Sequence, residues 1–260
     1  MTRMILPATL LAATALGTPA SALTLAALVD DATIAIVDIE RLATVREVAV
    51  SGLDGALLGI DVRSSDGLLY GVVADGTIVT IDPETGAASE VSRLDTMLPE
   101  GVAAIVDFNP AADRLRLMGS DGTSLRVNVD TGEVVVDGSH AFAAGDAFAE
   151  ATPRIVTGAY TNAIGRPSST MLFNIDEGAG ALVLQDPPND GVLNTVGALG
   201  LDATGFAMDI HTPQEGENVA YLMADARLAT VDLGTGEATE IGRVEGLDGD
   251  VRDIAILPAM

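Results

Sequence analysis

Gly67-Leu-Leu-Tyr-Gly-Val-Val-Ala-Asp-Gly-Thr-Ile-Val-Thr-Ile-Asp-Pro-Glu-Thr-Gly-Ala-Ala-Ser-Glu-Val91 reads as three short strands separated by two turn signals, Asp75-Gly76 and Asp82-Pro83-Glu84-Thr85-Gly86. Asp and Gly supply the left-handed residues of tight hairpins, and Val, Ile, Thr and Leu fill pleated, half-buried strands. The phrase returns over Asp113–Val136, with turns at Asp121-Gly122-Thr123 and Asp130-Thr131-Gly132, and over Asn218–Ile241. A looser copy runs from Thr170 to Leu199. Self-similarity at a period of roughly 45–50 residues marks a β-repeat architecture.

Each copy follows a further short strand. These lead strands are Gly59-Ile-Asp-Val-Arg63, Ile105-Val-Asp-Phe-Asn109, Gly158-Ala-Tyr-Thr-Asn162, Ala207-Met-Asp-Ile-His211 and Val251-Arg-Asp-Ile-Ala255. One lead strand and one three-strand phrase make a four-stranded propeller blade. The fifth lead strand is followed almost at once by the C-terminus, and Ala27–Val48 matches the template from Val72 to Val91, so the N-terminal segment carries the missing strands. The expected fold is all-β: a single-domain, five-bladed propeller whose last blade is shared between the two termini, which removes free sheet edges. Two irregular inserts interrupt the pattern, Ser139–Thr152 as a short helix or loop and Gln185–Asn194, which is too polar and proline-rich for a strand interior.

The chain opens with Arg3, an apolar run from Met4 to Leu16 and an Ala20-Ser21-Ala22 site. That pattern predicts a signal peptide over 1–22, cleaved after Ala22, and a propeller domain over 23–260. The expected location is periplasmic or extracellular, with no membrane insertion. Cysteine is absent, which excludes disulfides and thiol chemistry and suits a bacterial exterior. The formal charge of −25 includes Arg3, so the mature chain carries −26; every cation is Arg, and no Lys occurs. Such a field repels phosphate backbones and anionic lipid, which excludes nucleic acid as a partner. A monomer is expected.

The segment Phe108-Asn-Pro-Ala-Ala-Asp-Arg-Leu-Arg-Leu-Met-Gly-Ser-Asp-Gly-Thr-Ser-Leu-Arg-Val-Asn-Val-Asp-Thr-Gly132 resembles the hallmark of a bacterial family catalogued as domain of unknown function 4394 (DUF4394). Gly158-Ala-Tyr-Thr-Asn162 and Asp186-Pro-Pro-Asn-Asp-Gly-Val-Leu-Asn-Thr-Val-Gly197 resemble it as well. The resemblance spans about Leu25 to about Leu257. It implies an exported repeat protein and carries over no activity, substrate or catalytic residue.

The lead strands hold the best candidate site. Aligned by sequence, Asp61, Asp107, Tyr160, Asp209 and Asp253 share one position; two residues on, and on the same strand face, stand Arg63, Asn109, Asn162, His211 and Ala255. Inner strands surround a propeller's axis, so Asp61, Asp107, Asp209 and Asp253 are candidate ligands for Ca2+, or a general acid and base. The same recurrence also fits buried acceptors that bond backbone amides and lock blade to blade. Arg63, Asn109, Tyr160, Asn162 and His211, which break the symmetry, are the candidate ligand-binding residues at one mouth of the channel.

Other chemistry finds little footing. His140 and His211 lie far apart, and no Cys or His pair has zinc spacing. The run Glu245-Gly-Leu-Asp-Gly-Asp-Val-Arg-Asp253 lacks EF-hand spacing. A Gly-x-Ser-x-Gly elbow is absent, Lys for a phosphate loop is absent, and aromatic stacking platforms are scarce. The expected function is a non-catalytic exported scaffold that binds a protein partner or small ligand at one mouth, with no firm cofactor. The alternatives are a calcium-dependent hydrolase or lactonase with an axial metal, and an envelope or extracellular structural protein that binds cations loosely.

Overall fold

The computed structural model describes residues 23–213 and 217–258, so the expected leader lies outside the described residues. Within them, each recurrence of the phrase folds as an antiparallel meander. In chain order the strands are β1 (Thr24–Val29), β2 (Thr33–Asp38) and β3 (Ala43–Ala49); β4 (Leu57–Val62), β5 (Leu69–Val73), β6 (Thr77–Ile81) and β7 (Ala88–Arg93); and β8 (Ala104–Asn109), β9 (Arg114–Gly119), β10 (Ser124–Val127) and β11 (Val134–Val136). There follow β12 (Ala141–Phe142), β13 (Ile155–Tyr160), β14 (Leu172–Asp176), β15 (Ala181–Gln185) and β16 (Val192–Ala198). The last are β17 (Phe206–His211), β18 (Val219–Ala224), β19 (Arg227–Val231), β20 (Ala238–Arg243) and β21 (Val251–Ile256).

Five sheets result, one per expected blade. Blade 1 is β4–β7, blade 2 β8–β11, blade 3 β13–β16 and blade 4 β17–β20, while blade 5 runs β21-β1-β2-β3. The termini therefore share the last blade, with β21 antiparallel to β1 through Leu25↔Ile256 and Ala26↔Ala255. The inner strands β4, β8, β13, β17 and β21 each neighbour the next, and β21 meets β4 to close the ring.

Blades pack face to face, so inner and middle strands are apolar on both faces. β1 and β2 are buried along nearly their whole length, whereas the outermost strands β3, β7 and β20 are largely exposed. Charged residues such as Arg46, Glu90 and Glu240 on those outer strands discourage pairing with another chain. The hydrophobic core divides into five clusters, one between each pair of adjacent blades. Burial of this kind contributes roughly 25 cal/mol per Å2 of apolar surface.

The smallest cluster, between blades 2 and 3, is supplemented by a buried cation. Arg116 is 1% exposed; it donates to the Tyr160 hydroxyl at 3.1 Å, Ser124 Oγ at 3.1 Å, Asp137 Oδ2 at 2.5 Å and Asn189 Oδ1 at 2.8 Å. A buried guanidinium is tolerated only when its donors are matched in this way.

The two inserts have structural jobs at this joint. Ala141–Phe142 adds β12 parallel to β16 at the outer edge of blade 3, and Asp146 accepts from the Thr195 backbone amide at 2.7 Å. Of the expected short helix or loop, the segment is a loop of turns that contributes the two-residue edge strand β12. In the second insert only 186–191 are irregular, since Gln185 ends β15 and Val192 begins β16. A 3-10 turn at Pro188–Asp190 is held by Gln185 Nε2 on the Pro188 carbonyl at 2.6 Å and by Arg116 on Asn189.

Glycine is required where a hairpin turn leans on the preceding blade. Gly132 has φ +77°, and a Cβ there would lie 1.9 Å from the Arg93 carbonyl oxygen of β7. Gly86, at φ +73°, makes the same approach to the Ala49 carbonyl of β3. The recurrent Thr-Gly turns are thus both turn chemistry and blade contacts.

A second set of contacts closes the ring near its axis, and each of the five joints has one. Asp61 Oδ2 accepts from Phe108 N at 2.6 Å, and Asp107 Oδ1 from Tyr160 N at 2.9 Å. Thr157 Oγ1 accepts from Met208 N at 2.8 Å, Asp209 Oδ2 from Ile256 N at 2.6 Å, and Asp253 Oδ2 from Ile60 N at 2.9 Å. The expected blade-locking role of the recurrent Asp is present at four joints, and Thr157 serves the fifth.

Asp253→Ala would leave the Ile60 amide buried and unpaired, which costs about 1–3 kcal/mol. Asp253→Asn retains an acceptor for Ile60 without a buried charge, but turns its NH2 towards the Ile254 amide that Asp253 Oδ1 accepts at 3.0 Å. Urea unfolding at pH 7 is expected to show the Ala variant less stable by that amount and the Asn variant between it and the wild type. Equal loss in both would mean that the charge, and not the acceptor, holds the joint.

Candidate functional site

Strand register corrects the sequence alignment of the lead strands. Bulges at Leu58, Val156 and Arg252 place Gly59, Thr157 and Asp253 at one level, opposite Val72, Ile175 and Leu28. Asp61, Asp107 and Asp209 share a different level, opposite Tyr70, Arg116 and Tyr221. Blades 3 and 5 contribute Ala159 and Ala255 there, opposite Phe173 and Ala26. Asp253 thus sits two residues earlier along its strand than the other three, and Tyr160 is one residue out of step with them.

The side chains of the shared level converge. One carboxylate oxygen from each of Asp61, Asp107 and Asp209 lies within 4.8 Å of the other two, and all three residues are buried. Among the described residues this is the one group of acids and histidines spaced to hold an ion. Asp61 Oδ1 also accepts from Val62 N at 2.6 Å, and Asp209 Oδ1 from Ile210 N at 2.6 Å, so both oxygens of each are bonded to backbone amides. Asp107 differs: its Oδ1 takes the Tyr160 amide, and no donor among the described residues reaches its Oδ2.

Burial without a counter-charge sets the protonation of this group. Loss of solvent, then the Asp209 charge, pushes the Asp61 carboxyl well above the ordinary carboxylate range. Loss of solvent, then the charges of Asp61 and Asp209, does the same to Asp107. Burial pushes Asp209 up to about 6, against opposing backbone hydrogen bonds from Ile256 and Ile210. Asp253 is likewise raised well above its usual range, mainly by burial.

These carboxyls floor a cavity of about 660 Å3 at the mouth where the inner strands end. Its walls are carbon-rich, with Val62, Phe108, Ile164, Ile210, Pro213 and Leu257 among them. His211 lines it as well, and burial lowers its pKa, which favours the neutral imidazole. Among the lining residues there is no Arg. A volume of this size suits a small organic molecule.

The other expected mouth residues are engaged elsewhere. Arg63 grips Asp113 of blade 2 through Nε–Oδ1 and Nη2–Oδ2, both 2.9 Å, and reaches Asp130 Oδ1 at 2.9 Å. Its guanidinium also lies 5.8 Å from the Tyr70 ring centre. Those carboxylates hold Arg63 protonated, and Arg63 in turn lowers Asp113. Asn109 Oδ1 accepts from the amides of Ala111 and Ala112 in a turn. Asn162, with φ +62°, exchanges hydrogen bonds with Asn218 across blades 3 and 4. Tyr160 borders the cavity, but its hydroxyl faces Arg116.

Sequence reasoning missed the loops that complete the walls, Ala163-Ile164-Gly165 and Thr212-Pro213, and the segment Leu257-Pro258 that follows β21. The signal for the first was the connection from Tyr160 to Leu172, which is long for a hairpin and follows an inner strand. The acidic run Glu245–Asp253 forms the entry to β21 and is tied down by Asp250 N on Asp30 Oδ1 at 3.1 Å. His140 is buried outside the cavity, and burial, then the Arg116 charge, lowers its pKa to about 4.

The family model described as "Domain of unknown function (DUF4394)" matches residues 33–255. No curated protein matches the chain. A solved structure of a protein of unknown function from Bacteroides thetaiotaomicron VPI-5482 is similar, with a TM-score of 0.56 and 14% identity, covering 92% of this chain and 64% of that one. The chain thus spans under two thirds of that protein, and the likeness concerns the fold alone. A protein of unknown function from Bacteroides caccae aligns over 91% of this chain and 99% of its own, at 12% identity and a TM-score of 0.47. No described helix is long and apolar enough to cross a membrane.

A carboxyl whose folded pKa is raised favours folding most below its unfolded pKa, and that advantage is lost as pH rises through the folded value. Asp209, at about 6 when folded against 3.8, therefore costs about 3 kcal/mol above pH 6. His140 and His211, lowered by burial, act in the opposite direction as pH falls, so the test is a difference. Asp209→Asn keeps an acceptor for Ile256 and removes the charge. Its stability relative to wild type is expected to rise between pH 4.5 and 7.5 by about 2 kcal/mol, the first third of the cost having been incurred below pH 4.5, read by urea unfolding at each pH. A constant difference would show that the axial carboxyls titrate normally.

Proposed function

We propose, for a chain that belongs to the DUF4394 family, a non-catalytic exported propeller that binds a small ligand at one mouth of its ring. The observation that carries this reading is the 660 Å3 cavity, apolar in its walls and floored by Asp61, Asp107 and Asp209. Concave, largely apolar sites with a few converging polar groups are where small molecules bind. The walls come from loops set on rigid inner strands, an arrangement that pre-forms the site.

Supporting a binding role over catalysis, both oxygens of Asp61 and of Asp209 are occupied by backbone amides, and the only imidazole lining the cavity is lowered by burial. The polar residues that sequence placed at the mouth serve blade joints and turns, so the reading moves from Arg63, Asn109 and Asn162 to the carboxylates, His211 and the apolar walls.

The spacing of the three carboxylates favours a second reading, a calcium-dependent hydrolase with an axial metal. A structural role with loose cation binding is the third. Calorimetric calcium titration of chelator-treated protein separates them: one tight site supports the metal centre, many weak sites support the structural role, and no site leaves the ligand cavity.

A ligand that binds only the native state raises the melting temperature by mass action. Ile164 is 44% exposed and lines the cavity, so Ile164→Trp is expected to fold and to obstruct the mouth. Ile241, equally exposed on the outer strand β20, gives the control Ile241→Trp. Compounds from a small-molecule melting screen are expected to lose their shift in the first variant and keep it in the second. Shifts that survive both substitutions would put the binding elsewhere.

A further inference from the structure

We propose that the cavity takes a primary ammonium compound with an apolar body, its ammonium group seated among Asp61, Asp107 and Asp209. This rests on the reading of that mouth as a ligand site and names the class of ligand. An alkylammonium has three donors fanned at tetrahedral angles; acceptors about 2.8 Å from the nitrogen then lie about 4.6 Å apart. Three oxygens within 4.8 Å of one another fit that fan.

Within the three, Asp107 leaves one acceptor free. It is 4% exposed and borders the cavity, and its Oδ2 meets no donor among the described residues. Its counterparts Asp61 and Asp209 each satisfy both oxygens. That oxygen belongs to a residue lining the cavity and is free to accept a donor from an occupant. The protein's own buried cations do not supply it, because Arg63 is committed to Asp113 and Asp130 and Arg116 to Asp137 and Asn189.

The walls decide against other cations. A bare divalent ion seeks six to eight oxygen ligands and would leave Val62, Ile164, Ile210 and Leu257 facing water. A quaternary ammonium has no N–H to offer Asp107 and seeks aromatic faces, of which the lining provides only Phe108 and Tyr160. An amine with a hydrocarbon body satisfies floor and walls together.

Calorimetry on the full chain at pH 7.5 with 2-phenylethylamine, 2-phenylethanol and calcium chloride tests this. The amine is expected to bind once per chain, the alcohol at least tenfold more weakly, and calcium not to displace the amine. Asp107→Asn retains the acceptor for the Tyr160 amide and is expected to weaken the amine at least tenfold and bring it level with the alcohol, with an unchanged circular dichroism spectrum reporting an intact fold. Equal binding of alcohol and amine overturns the ammonium class and leaves the ligand cavity standing. Displacement by calcium, or amine binding indifferent to Asp107→Asn, overturns it as well. Binding of none of the three overturns the proposal, and if the melting screen also yields no cavity ligand, the reading of the mouth falls with it.

Discussion

Everything in this ring depends on one repeated hydrogen bond: a side-chain oxygen on each inner strand accepts a backbone amide from the inner strand of the next blade. A propeller has no central core that all its blades share. Each joint is a separate contact between two sheet faces, and the ring closes only if all five hold. The apolar clusters between blades supply most of the attraction, but they are non-directional. The acceptor fixes where each blade stands along its neighbour, because one position on one strand meets the amide of one residue on the next. An amide left unpaired at that depth costs more than the bond contributes when made.

That constraint also creates the site. An acceptor could sit at either of two levels on the inner strand, and the chain uses both. Blades 3 and 5 place Thr157 and Asp253 at the earlier level, while blades 1, 2 and 4 place Asp61, Asp107 and Asp209 at the later one. Three carboxylates at one level converge within 4.8 Å of one another. The floor of the cavity thus follows from how five joints are divided between two levels. The atoms that hold the joints are therefore also the ones that face the cavity, with Asp107 Oδ2 free of any joint.

The repeat was legible in the sequence because hairpin turns announce themselves: Asp75-Gly76, Asp121-Gly122 and the Thr-Gly turns need residues that tolerate positive φ. Termini sharing a blade followed from counting strands. The level of Asp253 was not legible, because an acceptor at either of two positions on an inner strand serves a joint, and the strand's own residues do not mark which is used. For Arg63, the partner that claims it, Asp113, lies fifty residues on and meets it only when blade 2 docks. Both inserts looked like free loops because polar and proline-rich composition reports the absence of a strand interior. It does not report the side of the ring on which a loop is pinned, and Arg116 pins the second one to the joint between blades 2 and 3.

Charge gives the last step. A chain with 38 acids against 13 arginines has few cations to place, and both of its described buried ones, Arg63 and Arg116, are spent at joints where a bidentate or multiply bonded guanidinium orients two blades. The axial carboxyls are left to neutralise themselves by taking up protons, which their raised pKa values reflect. A proton neutralises charge but fills no volume, and above the carboxyls lies an apolar space open at one end. An occupant that carries its own positive charge would take the place of those protons and take apolar walls out of water in the same event. Its binding is thereby coupled to the protonation of residues that also hold blades 1, 2 and 4 to their neighbours.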